Sequence, residues 1–226
     1  MNAATGPLVI FDCDGVLVDS ETISLEVLVK ALRDVGIEID EEAAKERFLG
    51  RSLSTVIETA RTEHGLALGD SFLTTMRMAL YERFRTDLKP VPGVGDAIAS
   101  LEQAGLKWCV ASSSQIERIE LSLKVCGLKP RFNPPIYSAS MVANGKPAPD
   151  LFLFAAKRMG RAPEDCVVIE DSPAGIQAAK AAGMRVLAFT GGGHAAAPEH
   201  RSAIASLGAD ATFDAMGELL HLIRQN

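Results

Sequence analysis

Near the start of the chain an apolar run ends in two acids one residue apart, Leu8-Val9-Ile10-Phe11-Asp12-Cys13-Asp14-Gly15. Two carboxylates at the carboxyl end of a strand can share one site. The same pair also suits plain turn initiation, since aspartate is a common turn residue. Three further features favour the shared site. Trp108-Cys109-Val110-Ala111-Ser112-Ser113-Ser114 ends a second apolar run in hydroxyls and leads toward a helix start, a combination suited to phosphate oxygens. Asn144-Gly145-Lys146-Pro147-Ala148-Pro149-Asp150 sets one lysine in a proline-stiffened loop just before a helix; standing alone it would read as a solvated loop lysine. Val167-Val168-Ile169-Glu170-Asp171-Ser172-Pro173-Ala174-Gly175 ends a third run in two more acids. Asp12, Asp14, Glu170 and Asp171 repel one another unless a hard, oxygen-seeking cation sits among them, and magnesium is the natural occupant. A phosphate monoester is a dianion, so a nucleophile reaches it only when that charge is neutralised. Cys13 is set aside as a nucleophile: no histidine or basic residue lies near it in sequence to lower its pKa, and alternation points it away from the acids.

These residues need elements that bring them together. Short apolar runs at Leu8 to Phe11, Trp108 to Ala111, Val167 to Ile169 and Val186 to Phe189 read as buried parallel strands, with weaker candidates at Ile136 to Ser138 and Ala211 to Phe213. Helical patterns lie between them, at Val94 to Ala104, Glu117 to Cys126, Asp150 to Met159 and Ala174 to Ala182, each closed by a glycine: Gly105, Gly127, Gly160 and Gly183. The alternation predicts an α/β fold with a doubly wound parallel sheet. Its strands' carboxyl ends face one crevice.

From Ser20 to Leu88 no strand-like run occurs, only amphipathic and charge-rich helical patterns at Glu21 to Val35, Glu41 to Phe48, Leu53 to His64 and Ser71 to Phe84. An inserted all-helical subdomain over 20–88 is predicted, leaving 1–19 and 89–226 as the core, with Lys89-Pro90-Val91-Pro92-Gly93 as connector.

Composition narrows the function. The 226 residues carry 23 Lys and Arg against 29 Asp and Glu, and aromatics make up 5%, so the basic stripe and stacking platform of a nucleic-acid binder are missing. No apolar run reaches the ~18 residues of a membrane span, and a cytoplasmic location is expected. Cys13, Cys109, Cys126 and Cys166 form no paired spacing and read as reduced thiols. His64, His194, His200 and His221 form no zinc framework. Gly191-Gly192-Gly193-His194 reads as a flexible loop in preference to an anion nest.

In order and context, Asp12-x-Asp14-Gly15-x-Leu17-x-Asp19-Ser20, the Ser112 run, Gly145-Lys146-Pro147-Ala148-Pro149-Asp150 and Glu170-Asp171-Ser172-Pro173-Ala174-Gly175 resemble the four motifs of the haloacid dehalogenase superfamily. The resemblance extends to the position of the helical insertion, which is similar to the family's cap. It implies a Rossmann-like core, a magnesium ion and phosphoryl transfer through aspartate. By it, Asp12 is nucleophile and metal ligand. Asp14 offers its backbone carbonyl to the metal and its side chain as acid and base, Asp171 ligates the ion, and Glu170 joins the metal set. Lys146 neutralises the phosphoryl oxygens and orients Asp12, while Ser112, with Ser113 beside it, hydrogen-bonds the phosphate.

Phe48-Leu49-Gly50-Arg51-Ser52 resembles the cap loop that faces the site in similar members, so Gly50 and Arg51 are candidate substrate contacts; a solvated helix-terminal arginine is the alternative. Dehalogenases of the superfamily lack the second acid, which Asp14 supplies here. Members resembling beta-phosphoglucomutase carry a histidine where this chain has Ser24, and Lys-Asn where it has Gln115-Ile116. The expectation is therefore a magnesium-dependent phosphatase of a small, sugar-like phosphorylated metabolite. A sugar phosphomutase is the alternative, and a non-catalytic regulator on the same scaffold a third. Oligomeric state is left open.

Overall fold

Val, Ile, Leu and Phe in short unbroken runs favour strands covered on both faces. In the computed structural model, which describes residues 6–48, 53–193 and 198–225, six such strands form one parallel sheet: β1 (Leu8–Phe11), β2 (Trp108–Ser112), β3 (Ile136–Ser138), β4 (Cys166–Glu170), β5 (Arg185–Phe189) and β6 (Ala211–Phe213), in the order β3-β2-β1-β4-β5-β6. Both weaker candidates are strands, at the two edges. β2 and β4 each run one residue past the apolar run, so Ser112 and Glu170 are strand residues and not loop residues. β1 lies at the switch point of the winding, where the crossovers reverse direction and a crevice opens at the strand ends.

The described helices are α1 (Glu21–Asp34), α2 (Glu41–Phe48), α3 (Leu53–His64), α4 (Asp70–Asp87), α5 (Val94–Gln103), α6 (Ile116–Val125), α7 (Leu128–Phe132), α8 (Asp150–Arg158), α9 (Pro173–Ala181), α10 (Pro198–Ser206) and α11 (Leu219–Arg224). Helix α5 buries Val94, Ala97, Ile98 and Leu101, the spacing of one helical face. The four predicted glycine stops all take left-handed φ values between 68° and 74°, which a side chain would resist.

The described residues fall into two compact units, divided between Asp19 and Ser20 and between Leu88 and Lys89. The sheet unit buries Leu8, Ile10, Cys109, Phe152, Val168, Ile176 and Val186 in one core. The helical unit has its own, built on Leu25, Val29, Leu32, Ile37, Phe48 and Val56. A cavity of ≈ 180 Å³ lies within the helical unit, lined by Leu32, Ile37, Phe48, Val56 and Ala60 among others; none of the acids of the strand ends borders it. Within the sheet unit, the two chain segments flanking the helical one run side by side. Asp19 N–H donates to Lys89 O at 3.0 Å, and Val91 N–H to Leu17 O at 3.0 Å. Among the described residues, no helix is long and apolar enough to cross a membrane.

Candidate active site

Strand register assembles the site. Phe11 pairs with Val110 on one side and Ile169 on the other, so the next residue of each strand, Asp12, Ala111 and Glu170, comes level at the carboxyl edge. Asp12 N–H continues the ladder onto Ile169 O at 2.9 Å. One lysine touches all three levels: Lys146 Nζ donates to Asp12 Oδ1 at 2.6 Å, to Glu170 Oε1 at 2.6 Å and to Ala111 O at 3.1 Å. Its ammonium also lies 4.9 Å from the centre of the Phe152 ring on α8. The Lys146, Asp12 and Glu170 side chains are only 4%, 10% and 1% exposed. A lysine that alone would read as solvated is thus buried between two carboxylates.

The charge in this layer is unbalanced. Burial pushes the Asp12 carboxyl well above the usual carboxylate range; Lys146 pulls it back, and Glu170, Asp171 and Asp14 push it up again. Burial by itself would lower the Lys146 ammonium, but Asp12 and Glu170 outweigh it and hold it above its ordinary value. Asp171 is 5% exposed in the same layer. Cys13, between the two acids, is fully buried. Burial first, then Asp14 and Asp12, push its thiol well up, so it is no nucleophile.

Glu170 is held on both oxygens. Oε1 takes Lys146, and Oε2 accepts Asp171 N–H at 2.9 Å, Ser172 N–H at 2.8 Å and the Ser172 hydroxyl at 2.9 Å. Glu170, expected in the metal set, is engaged in the protein by the lysine and by the turn that starts α9. Ser172 in turn caps α9 by accepting Gly175 N–H at 3.1 Å. Gly175 is glycine for a steric reason, because a Cβ there would overlap the Glu170 carboxylate.

Asp14 projects toward β2 and α6. Its Oδ2 accepts the Ser114 hydroxyl at 2.7 Å and its Oδ1 accepts Arg118 Nη2 at 2.8 Å. Ser112, 1% exposed, accepts Ser114 N–H on its Oγ at 3.1 Å, which leaves the hydroxyl hydrogen to donate elsewhere. Ser113 is exposed. Sequence reasoning missed Ser114 and Arg118. The third serine of the run was visible, but only the α6 turn, which carries Arg118 back over Asp14, gives either a role. Residues 49–52, with the candidate contacts Gly50 and Arg51, lie outside the described residues.

The glycine run after β5 also differs from expectation. A Cβ on Gly191 would overlap the Asp214 carbonyl, and one on Gly193 would crowd the Asp19 carboxylate at 3.1–3.5 Å. Close approach, and not flexibility, explains these glycines; His194 lies outside the described residues.

Residues 7–183 match the family model described as haloacid dehalogenase-like hydrolase. The chain belongs to that family. A 6-phosphogluconate phosphatase of Escherichia coli is 32% identical over 187 residues, covering 82% of this chain and 83% of the relative. Among solved structures, a conserved haloacid dehalogenase-like protein of Agrobacterium tumefaciens is 38% identical with TM-score 0.82, covering 96% of this chain and 97% of that one. A haloacid dehalogenase family hydrolase of Deinococcus radiodurans with bound phosphate and sodium is 33% identical with TM-score 0.77, covering 96% and 94%. The protein is a phosphatase of the haloacid dehalogenase-like family, and the level layer of Asp12, Lys146 and Glu170 sits where its four sequence motifs meet.

Proposed function

We propose that the protein is a magnesium-dependent phosphomonoesterase acting on a small sugar-like phosphate through an aspartyl-phosphate on Asp12, with the helical unit 20–88 as its cap. The observation that carries this reading is Lys146 bridging Asp12 and Glu170 at the switch point. It fixes one oxygen of Asp12 and, among the described residues, leaves Oδ2 without a hydrogen bond, available to attack. Support for a sugar-like substrate comes from the 6-phosphogluconate phosphatase relative. Ser24, in place of a mutase-type histidine, supports water as the final phosphoryl acceptor.

The residues fit a magnesium ion. Among the described residues no three His, Cys, Asp or Glu side chains form a ready-made cage. Magnesium, however, commonly takes only one or two carboxylates and keeps several waters. Asp12 and Asp171, with the Asp14 backbone carbonyl, make such a set, and Lys146 and Arg118 against the Asp12, Asp14, Glu170 and Asp171 carboxylates leave a negative surplus that a divalent cation balances. When bound, the ion neutralises phosphoryl charge and orients the phosphate.

Asp12 Oδ2 attacks phosphorus while the Ser112 hydroxyl donates to a phosphoryl oxygen and the Lys146 ammonium, its three protons on Asp12, Glu170 and the Ala111 carbonyl, orients Asp12 and offsets phosphoryl charge. Asp14 gives a proton to the leaving alkoxide as its P–O bond breaks, then takes one from the water that attacks the aspartyl-phosphate and frees Asp12 and inorganic phosphate. The test is phosphate release from 6-phosphogluconate and a panel of polyol and hexose phosphates with magnesium. Wild type is expected to turn over and Asp12→Asn to be inactive. Undiminished turnover in Asp12→Asn would refute the mechanism.

A further inference from the structure

Both oxygens of Asp14 are claimed by a single short segment, and the two partners differ in kind. Ser114 donates to Oδ2 from the turn before α6, and Arg118 donates to Oδ1 from the first turn of α6. The Arg118 and Asp14 side chains are 22% and 15% exposed. Ser114 is itself fixed at both its backbone N–H and its carbonyl. Its N–H donates to Ser112 Oγ at 3.1 Å, and its carbonyl accepts the Ser138 hydroxyl at 2.7 Å from the end of β3. The Ser138 oxygen also accepts Ser140 N–H at 3.2 Å. A cation in the first turn of a helix is disfavoured by the helix dipole, so Arg118 sits where helix stability alone would not put it.

A guanidinium has donors only, whereas a hydroxyl both donates and accepts. Protonating the oxygen that faces Arg118 would forfeit a charge-assisted hydrogen bond, so that oxygen is the disfavoured site for the proton. The oxygen facing Ser114 is the favoured one, since the Ser114 hydroxyl turns from donor to acceptor as Asp14 gains its proton. We infer that Arg118 and Ser114 are positioning residues that orient Asp14 and make Oδ2 the oxygen that gives and takes its proton. The inference rests on the acid and base role proposed above for Asp14. In the first half-reaction the Asp12–phosphorus bond forms, the bond from phosphorus to the leaving oxygen breaks, and the proton passes from Asp14 Oδ2 to that oxygen. In the second, Oδ2 takes a proton from the attacking water as the Asp12–phosphorus bond breaks.

An orienting role predicts a loss that depends on the leaving group. A sugar alkoxide needs the proton and 4-nitrophenolate does not. Arg118→Ala should lower kcat/KM on 6-phosphogluconate, or on the panel's best alkyl phosphate, by about 100-fold, within the range of general acid catalysis. On 4-nitrophenyl phosphate the loss should be under about 5-fold, with a pre-steady-state burst of nitrophenolate, because the base that clears the aspartyl-phosphate is misoriented while its formation is spared. In an Asp14→Asn background Arg118→Ala should cause no further loss on the alkyl phosphate. Arg118→Lys, which keeps the charge without the fork, should fall between wild type and Arg118→Ala. If Arg118→Ala fails to fold by thermal melting, Ser114→Ala carries the same test, with the same bias expected. Equal losses on both substrates, or full additivity with Asp14→Asn, would overturn the inference while leaving the phosphatase reading intact. A wild-type protein inert on every phosphate would instead remove the reading on which it rests.

Discussion

Replacing Lys146 by methionine removes the cation of a buried layer while keeping most of its length. The Asp12 and Glu170 carboxylates, 10% and 1% exposed and each 2.6 Å from the lysine, lose their common partner. Removing one member of a buried ion pair typically costs about 3–5 kcal/mol, because the charge left behind is uncompensated. At about 2–4 °C per kcal/mol for a chain of this size, the melting temperature should fall by about 6–20 °C. The pH dependence has a definite sign. The Lys146 ammonium is raised, so its contribution is fully present below the unfolded lysine value of about 10.4 and is lost only as pH rises through the folded value. Between pH 5 and 8 the lysine charge is therefore constant. Asp12, already raised by burial, rises further without the lysine that pulled it back. A group with a raised folded pKa destabilises the fold increasingly as pH climbs above its unfolded value, so the deficit of Lys146→Met should be larger at pH 8 than at pH 5. Thermal melting of wild type and variant across that window measures it. Adding Glu170→Gln removes one stranded charge and should recover part of the loss. A deficit independent of pH, or a double variant as unstable as the sum of the singles, would refute the account of Lys146 as a charge bridge.

Gly175→Ala should destabilise by about 1–3 kcal/mol through overpacking against the Glu170 carboxylate, and should reduce phosphate release by displacing Lys146; melting and turnover measured together check both effects. The cysteines should resist thiol reagents in the native protein at pH 8. Burial pushes Cys126 up to about 12 and Cys166 up to about 11, and Cys13 and Cys109 are raised and fully buried, so all four should react only after denaturation in a dithionitrobenzoate titration. Chelation with EDTA should abolish turnover, and magnesium should both restore it and raise the melting temperature, since binding to the folded state alone stabilises it; turnover untouched by EDTA would remove the metal from the proposal.

Much of this protein is legible along the chain. Unbroken apolar runs ending in Asp12, Ser112 and Glu170 mark strands whose polar ends gather at one edge, and glycines after periodic segments mark where helices stop, because both signals depend on a few neighbouring residues. The segment 20–88 stands out by lacking any strand-like run. What the chain order does not carry is which side chain reaches which. Lys146 looks like any loop lysine until register sets Asp12, Ala111 and Glu170 level beneath its ammonium. Glu170, which along the chain is only an acid beside Asp171, is held in the fold by donors from its own turn and from that lysine. Arg118, an unremarkable residue of an amphipathic helix, meets Asp14 only because α6 starts beside the β1 loop. The glycines after β5 looked like freedom and are close approach. Residue type and spacing determine the chemistry on offer, since they depend on local propensity and charge. The division of labour among the charges is a property of distances across strands and loops far apart in the chain, and only the tertiary structure decides it.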